Sequence, residues 1–302
     1  VVVLLDKAAL FIDGRYTIQA RQEVSPRLFT YHHLIEEFHG DWAAANLPAG
    51  AKLGFDPWMH TGAWADKMRA SLTPAGVELV ATDGSPVDAV WDDQPPAPLG
   101  VVNIQPLSAA GRSASDKRSD IAEALAKLKA DAAVLTQPDS IAWLLNVRGA
   151  DVPCTPLPLS FATIRADGNV DWFVDRRKLA PGLEEHLGNQ VSIRAPDELA
   201  GALDALGASG AKVRLDGATA ALWVVDRLAR AGARLDQGGD PCVLPKAVKN
   251  QTEIEGARAA HRRDGAALVR FLRWFDAEAP KGTLDELTVV ATLHKARQGA
   301  AD

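Results

Sequence analysis

Leu10-Phe11-Ile12-Asp13-Gly14-Arg15 joins three apolar residues of strand character to an acid and to a glycine that breaks the strand. The same order returns downstream as Trp172-Phe173-Val174-Asp175-Arg176-Arg177. A second pair repeats at the same distance. Lys52-Leu53-Gly54-Phe55-Asp56 precedes a helix around Trp64, and Lys212-Val213-Arg214-Leu215-Asp216 precedes one around Trp223. The offset is about 160 residues in both cases. Two hydrophobic strands match often by chance. Matching order at a matching offset reads as an internal duplication of an α/β unit.

Around the first copy, Val1–Leu5 and Ala9–Asp13 read as a strand pair joined by Asp6-Lys7. Lys52–Asp56 is strand-like and ends at Pro57. Trp64, Met68 and Leu72 then recur at helical spacing, Gly76 stops that helix, and Val77–Val80 is the next strand. Strand, helix and strand in alternation are the grammar of an α/β layer. The stiff run Gln94-Pro95-Pro96-Ala97-Pro98 cannot be helix interior, so a boundary falls in this stretch, near residue 108.

Around the second copy, a helix runs to about Ala130 with Ile121, Leu125 and Leu128 on one face. Ala132–Thr136 is a strand and Ser140–Asn146 a short helix. Phe161–Arg165 and Val170–Asp175 form a hairpin about Asp167-Gly168-Asn169. Val213–Asp216 is a strand, Thr219–Arg230 a helix, and Gly232 its terminator. From Pro245 the pattern becomes helical. Asn250 and Glu253 suit a capping box. Ile254, His261, Leu268, Phe271, Leu272 and Phe275 line one stripe to about Ala277, and Thr283 with Glu286 caps a further helix to Arg297. Two helices cannot bury both apolar faces against each other, so they read as the start of a larger domain. The fold class is therefore α/β in two tandem units, residues 1–108 and 109–244, with residues 245–302 opening a third domain.

The 302 residues carry 47% hydrophobic and 24% charged side chains, ordinary globular usage. No apolar run approaches the ~20 residues that cross a bilayer, so no membrane partner is expected. Val1–Leu5 has no basic front and no small-residue cleavage site, and reads as a strand rather than a signal peptide. A net charge of −6 argues against nucleic acid, and Arg262-Arg263 reads as a solvated helix face. Cys154 and Cys242 make no disulfide framework, which points to a reducing cytoplasm.

Catalytic spacings are absent: there is no His-Glu-x-x-His, no Gly-x-Ser-x-Gly and no phosphate loop. His32-His33 and His39 are clustered, but adjacent residues point apart, and a polar surface loop is the simpler reading. His261 on its apolar stripe reads as a core histidine held by a neighbouring element. Cys154 has no visible histidine partner and makes a poor nucleophile. Arg15, from spacing alone, is a surface arginine after a turn.

Four stretches in order resemble the Xaa-Pro aminopeptidases of the creatinase-like metallopeptidases. They are Ala9–Ala20, containing Asp13-Gly14-Arg15-Tyr16; Asp139–Pro153, containing Arg148-Gly149-Ala150-Asp151-Val152; Lys246–Gly256; and Ala260–Leu268, with Pro280-Lys281-Gly282-Thr283 behind. The long three-domain type is the better match, because two related units precede the third domain. The resemblance implies two creatinase-N-terminal-like units followed by the first helices of a pita-bread catalytic domain, with the opening strands of the first unit lying ahead of Val1. It implies removal of an N-terminal residue that precedes proline, by a cytoplasmic homodimer acting on peptide substrates. Two divalent metals, commonly manganese in the family, are implied, held by residues outside this chain. No catalytic or metal-binding position of the family falls on this chain; of its substrate-binding residues, Arg15 alone matches. An arginine fork suits a peptide carbonyl or carboxylate. The competing class is a metal-free binding module of the same fold, such as a histone-chaperone-like subunit, and the acidic charge is compatible with a basic partner.

Overall fold

The computed structural model describes residues 1–300. The first unit contains β1 (Val2–Val3), β2 (Ala8–Ile12), α1 (Thr17–Glu23), β3 (Phe29–His33), α2 (His39–Asn46), β4 (Lys52–Phe55), α3 (Gly62–Leu72) and β5 (Glu78–Ala81). Thr61 caps α3 by accepting a hydrogen bond from the Trp64 amide at 3.2 Å. Met68 and Leu72 bury one face of that helix in a cluster with Ala9, Phe11 and Val77, and Ala65 is buried in another with Phe55. Its strands form two small sheets, β1-β2-β3 and β4-β5.

The second unit opens with β6 (Asn103–Ile104), α4 (Leu107–Ala110), α5 (Ala114–Lys127), β7 (Ala132–Leu135), α6 (Pro138–Leu145) and β8 (Val147–Arg148). It continues through β9 (Phe161–Arg165), β10 (Val170–Phe173), α7 (Leu183–Leu187), β11 (Val191–Arg194), α8 (Leu199–Ala208), β12 (Lys212–Leu215), α9 (Leu222–Ala231) and β13 (Arg234–Gln237). Six strands form one sheet in the order β11-β10-β9-β7-β12-β13. Strand β9 runs antiparallel to both neighbours, and the other pairings are parallel. All four residues of β7 are buried, as expected of a strand covered on both faces. Residues 100–105 already bond into this unit: β6 pairs with β8, and the Val102 amide donates to Lys178 O at 2.7 Å.

The two units repeat one design. In each, an antiparallel pair (β1 with β2, β9 with β10) feeds a parallel pair (β2 with β3, β10 with β11). A helix then leads to a second parallel pair, β4 with β5 and β12 with β13. In the second unit β7 joins the two halves into one sheet.

Several elements depart from the sequence reading. His32-His33 form the end of β3 rather than a surface loop. The β-forming run Phe29-Thr30-Tyr31 pairs in register with Ala8–Ile12, and the histidines continue that ladder. Helix α9 starts at Leu222, three residues later than expected, because Thr219 and Ala220 turn back onto Asp216 O. Strands β11 and β13 and helix α8 carried no sequence assignment; β11 and β13 are four-residue strands, and α8 is rich in Ala and Gly.

Beyond the second unit lie α10 (Val243–Ala247), α11 (Gln251–Glu278) and α12 (Glu286–Gln298). The capping box expected of Asn250 forms in full: its Oδ1 accepts from the Glu253 amide, and Glu253 Oε2 accepts from the Asn250 amide, both at 3.0 Å. Asn250 Nδ2 also donates to Ala110 O at 2.8 Å, which fixes the start of α11 to the end of α4. The cap of α12 is Asp285, not Thr283; its carboxylate accepts from the Thr288 amide at 2.7 Å. At about 1.5 Å per residue, α11 is about 42 Å long. Only Ala267 and Phe271 of it are buried. Leu268, Val269, Leu272 and Phe275 stay exposed, as do Leu287 and Val290 of α12.

Candidate functional site

Arg15 lies just beyond β2, on a one-turn 3₁₀ helix capped by Asp13. Asp13 Oδ1 accepts from the Arg15 amide at 2.9 Å and from Arg15 Nε at 3.2 Å, while Oδ2 accepts from a terminal guanidinium nitrogen at 2.7 Å. Those bonds to Arg15 hold the Asp13 carboxyl down at about 2. The Arg15 side chain is 82% exposed, so most of its surface remains open to a ligand. The second unit makes the same clasp: Asp175 accepts from the Arg177 amide at 2.9 Å and from its guanidinium at 2.6–3.1 Å. It too sits at about 2. The clasp is a structural property of both turns.

The histidines near this turn are engaged separately. His32 Nδ1 faces Glu37 Oε2 at 2.7 Å, its Nε2 meets Thr30 Oγ1 at 2.9 Å, and its ring stacks on Phe11 at 5.0 Å between centroids. His39 Nε2 accepts from the Trp64 indole at 2.8 Å, so that nitrogen carries no proton, and burial holds the ring below its ordinary pKa. No group of three or more His, Cys, Asp or Glu among the described residues could hold a metal ion. His261 does not fill the core position expected of it: it is exposed, with no side-chain hydrogen bond among the described residues, because α11 leaves the second unit after its first turns. Cys242 is buried, which pushes its thiol up, and Cys154 is exposed; both are free.

The run Arg148–Val152 is a crossing point of the chain. Asp151, fully buried, accepts from the Gly100 amide at 2.9 Å, the Leu159 amide at 2.7 Å and Lys178 Nζ at 2.8 Å. A Cβ on Gly100 would overlap the Ala150–Asp151 peptide, and one on Gly149 would overlap the backbone of Leu157 and Pro158. These residues pin the linker and a loop onto the second unit. Nearby, Lys117 is 2% exposed, and its Nζ donates to Trp143 O at 3.0 Å and Asn146 Oδ1 at 2.7 Å. Burial lowers its ammonium to about 8. Sequence reasoning missed both groups, since their partners lie 26 to 29 residues away and follow no motif spacing.

The two units meet through backbone. Thr61 and Ala221 form an antiparallel bridge, the Ala63 amide donates to Gly217 O at 3.3 Å, and the Trp223 amide donates to Pro57 O at 3.0 Å. Trp58 stacks on Trp223 with centroids 4.1 Å apart. Beside the stack is an open cleft of about 730 Å³ bordered by Asp56, Asp83, Asp204 and Asp226. Of its two arginines, Arg227 is held by Asp204 at 2.6 and 2.8 Å and Arg230 lies 3.7 Å from Asp226.

The two α/β units thus share a topology and each closes its β2- or β10-type strand with an Asp–Arg clasp. The Creatinase/Prolidase N-terminal domain family matches residues 1–90 and again residues 93–253. The chain belongs to that family. It is similar to the "Probable Xaa-Pro aminopeptidase P" of Aspergillus niger, 33% identical over 307 residues that take in 98% of this chain and 50% of that protein. The "Probable Xaa-Pro aminopeptidase P" of Coccidioides posadasii is 32% identical over 312 residues, all of this chain and 51% of that protein. A solved X-prolyl aminopeptidase of Caenorhabditis elegans, described as a cytosolic enzyme with a di-nuclear active site, superposes with a TM-score of 0.87 at 29% identity. That match covers 98% of this chain and 49% of the other. The chain spans about half the length of the relatives it matches. The resemblance carried by the four motif stretches is borne out. No helix among the described residues is long and apolar enough to cross a membrane.

Proposed function

We propose that this chain is the front part of a metal-dependent aminopeptidase that removes an N-terminal residue preceding proline. The observation that carries the reading is the superposition of nearly the whole chain on half of the C. elegans X-prolyl aminopeptidase. In this reading the chain holds two creatinase-type units, the second beginning by residue 100 rather than near 108, and residues from 245 begin the catalytic domain. Two divalent metals, manganese in our reading, are bound elsewhere in the protein. The residues described here do not offer a set that fits them, so no metal step is routed through this chain. The front units narrow access to short peptides. Arg15 contributes a charged fork to the peptide, sharing it with Asp13. The complete enzyme acts in the cytoplasm as a homodimer.

Calorimetry with manganese and hydrolysis of an Ala-Pro peptide test this on two proteins, the 302-residue chain and the longer protein. The chain alone should neither cleave nor bind manganese tightly, and the longer protein should do both, with about two metals per subunit. Stoichiometric manganese binding by the 302-residue chain would overturn the division of labour. A longer protein that binds no metal and cleaves nothing would belong to the non-catalytic binding modules instead.

A further inference from the structure

A small cleft of about 160 Å³ lies beside the Arg15 turn, between α1 and the ends of β2 and β3. It is lined by Ile12, Thr17, Arg21, Tyr31, His32 and His33. None of these is acidic, and two of the acids nearby, Asp13 and Glu37, are already engaged, while Glu36 is exposed without a side-chain partner among the described residues. Asp13 is taken by Arg15, and Glu37 is taken by His32 and by the His33 amide at 3.2 Å. Arg21 stands over the Tyr31 ring, 5.9 Å from its centroid, with no carboxylate partner among the described residues. His33 Nδ1 accepts from the Glu36 amide at 3.3 Å, so the neutral ring carries its proton on Nε2 and is a donor there. The cleft thus offers a guanidinium and an imidazole N–H and has no acid in its lining; its hydroxyls, Thr17 and Tyr31, already donate to Gly14 O and Val24 O.

The second unit shows what the same place looks like when it is internally satisfied. By strand register Ile12 and His33 correspond to Val174 and Ala195, and Gly14 corresponds to Arg176. Arg176 reaches across its cleft to Glu184 of α7 at 2.6 Å and to Ile193 O at 3.2 Å. The second unit's cation stands in the place of Gly14, not of Arg21, and has a carboxylate of its own; Arg21 has none among the described residues.

We propose that the first-unit cleft binds a free carboxylate, that of a short peptide's C-terminus, with Arg21 as the charged contact and His33 as a neutral donor. The site itself stands on the geometry; the source of the carboxylate rests on the peptidase reading. A carboxylate on a forked guanidinium gains two parallel charge-assisted hydrogen bonds, and an amide loses the charge. The volume suits such a group and little more.

The test follows the His33 ring resonance in protein labelled with ¹³C-histidine while Ala-Pro-Ala, its C-terminal amide, or acetate is added. The acid and acetate should shift the resonance saturably and the amide should not. Arg21→Gln should weaken the acid by about tenfold, and Arg21→Lys should retain part of the binding. Arg21 is exposed, so both variants should keep the parent Tm. Equal shifts from acid and amide, or an Arg21→Gln variant that binds as well as the parent, would overturn the site. A response to acetate but not to the peptide acid would overturn the peptide as source. Failure of the longer protein to cleave peptides, with the His33 response intact, would strike the peptidase reading and leave the carboxylate site standing.

Discussion

Asp13–Arg15 and Asp175–Arg177 are the same three-residue device built twice, and they allow a controlled comparison of single residues. Both carboxyls should titrate at about 2 in carbon-detected NMR. Because their folded pKa values lie below the unfolded 3.8, the stability they confer is present above pH 4 and is lost as pH falls towards 2. Function should separate the copies. In the longer protein Arg15→Ala is expected to cost roughly 10- to 150-fold in kcat/KM with metal content unchanged, whereas Arg177→Ala should leave turnover near the parent. Lys117 works in the opposite sense to the two acids. Its folded pKa of about 8 lies below the ordinary 10.5, so the unfolded chain binds the extra proton between those values and stability climbs as pH rises from 8 to 10.5. Urea unfolding across that window should show the climb, and Lys117→Met should flatten it. Asp151→Ala should cost about 3–5 kcal/mol, because it leaves the buried Lys178 ammonium without its counter-charge, with only Leu159 O at 3.4 Å to receive it. The Asp-x-Arg turn was legible as a motif; its clasp was not, because side chains two apart meet only when the turn tightens to a 3₁₀ helix. The Asp151 pair was invisible for a different reason: its partner is 27 residues on.

At the scale of elements, legibility followed length and periodicity. Helices α3, α5 and α11 repeat apolar residues over several turns, and each was placed to within a few residues. Strand β3 was missed because two histidines in a row look like surface, yet a parallel ladder needs only backbone groups and a β-forming run to start it. The Arg-Gly-Ala-Asp stretch was read for its resemblance, and its structural meaning emerged only from the crossing of two chain segments. Gly149→Ala should therefore destabilise by about 1–3 kcal/mol in chemical denaturation, since neither the Leu157 nor the Pro158 backbone can move aside without disturbing the loop that Asp151 anchors. An unchanged denaturation midpoint would show that the crossing has slack.

For the molecule as a whole, the least satisfied region is the α11–α12 hairpin. Its two helices are tied by Arg297 to Asp264 at 2.7 Å, and otherwise present Leu268, Val269, Leu272, Phe275, Leu287 and Val290 outwards. Burying a large apolar side chain is worth roughly 1.5–3 kcal/mol, so a stripe of this length favours a cover. In the 302-residue chain alone, limited proteolysis should cut first after about residue 248, or the chain should aggregate; in the longer protein the same helices should resist. A monomeric 302-residue chain, resistant from Gln251 to Arg297, would remove the case for a covering domain.

The contact between the two units has a further consequence. Ala63 and Trp223 occupy matching places in the two copies, as do Pro57 and Gly217, so the amide-to-carbonyl bonds Ala63 to Gly217 and Trp223 to Pro57 are one bond seen twice, related by a local twofold about the Thr61–Ala221 bridge. Self-complementary pairing of this kind is what a symmetric dimer uses. The chain is in effect a pair of protomers fused end to end, with the partner-seeking face of each already consumed by the other. The homodimer proposed above would then have to draw its joining surface from somewhere else, and substitutions at Trp58 or Trp223 should loosen each chain internally while leaving the number of chains per particle as it was.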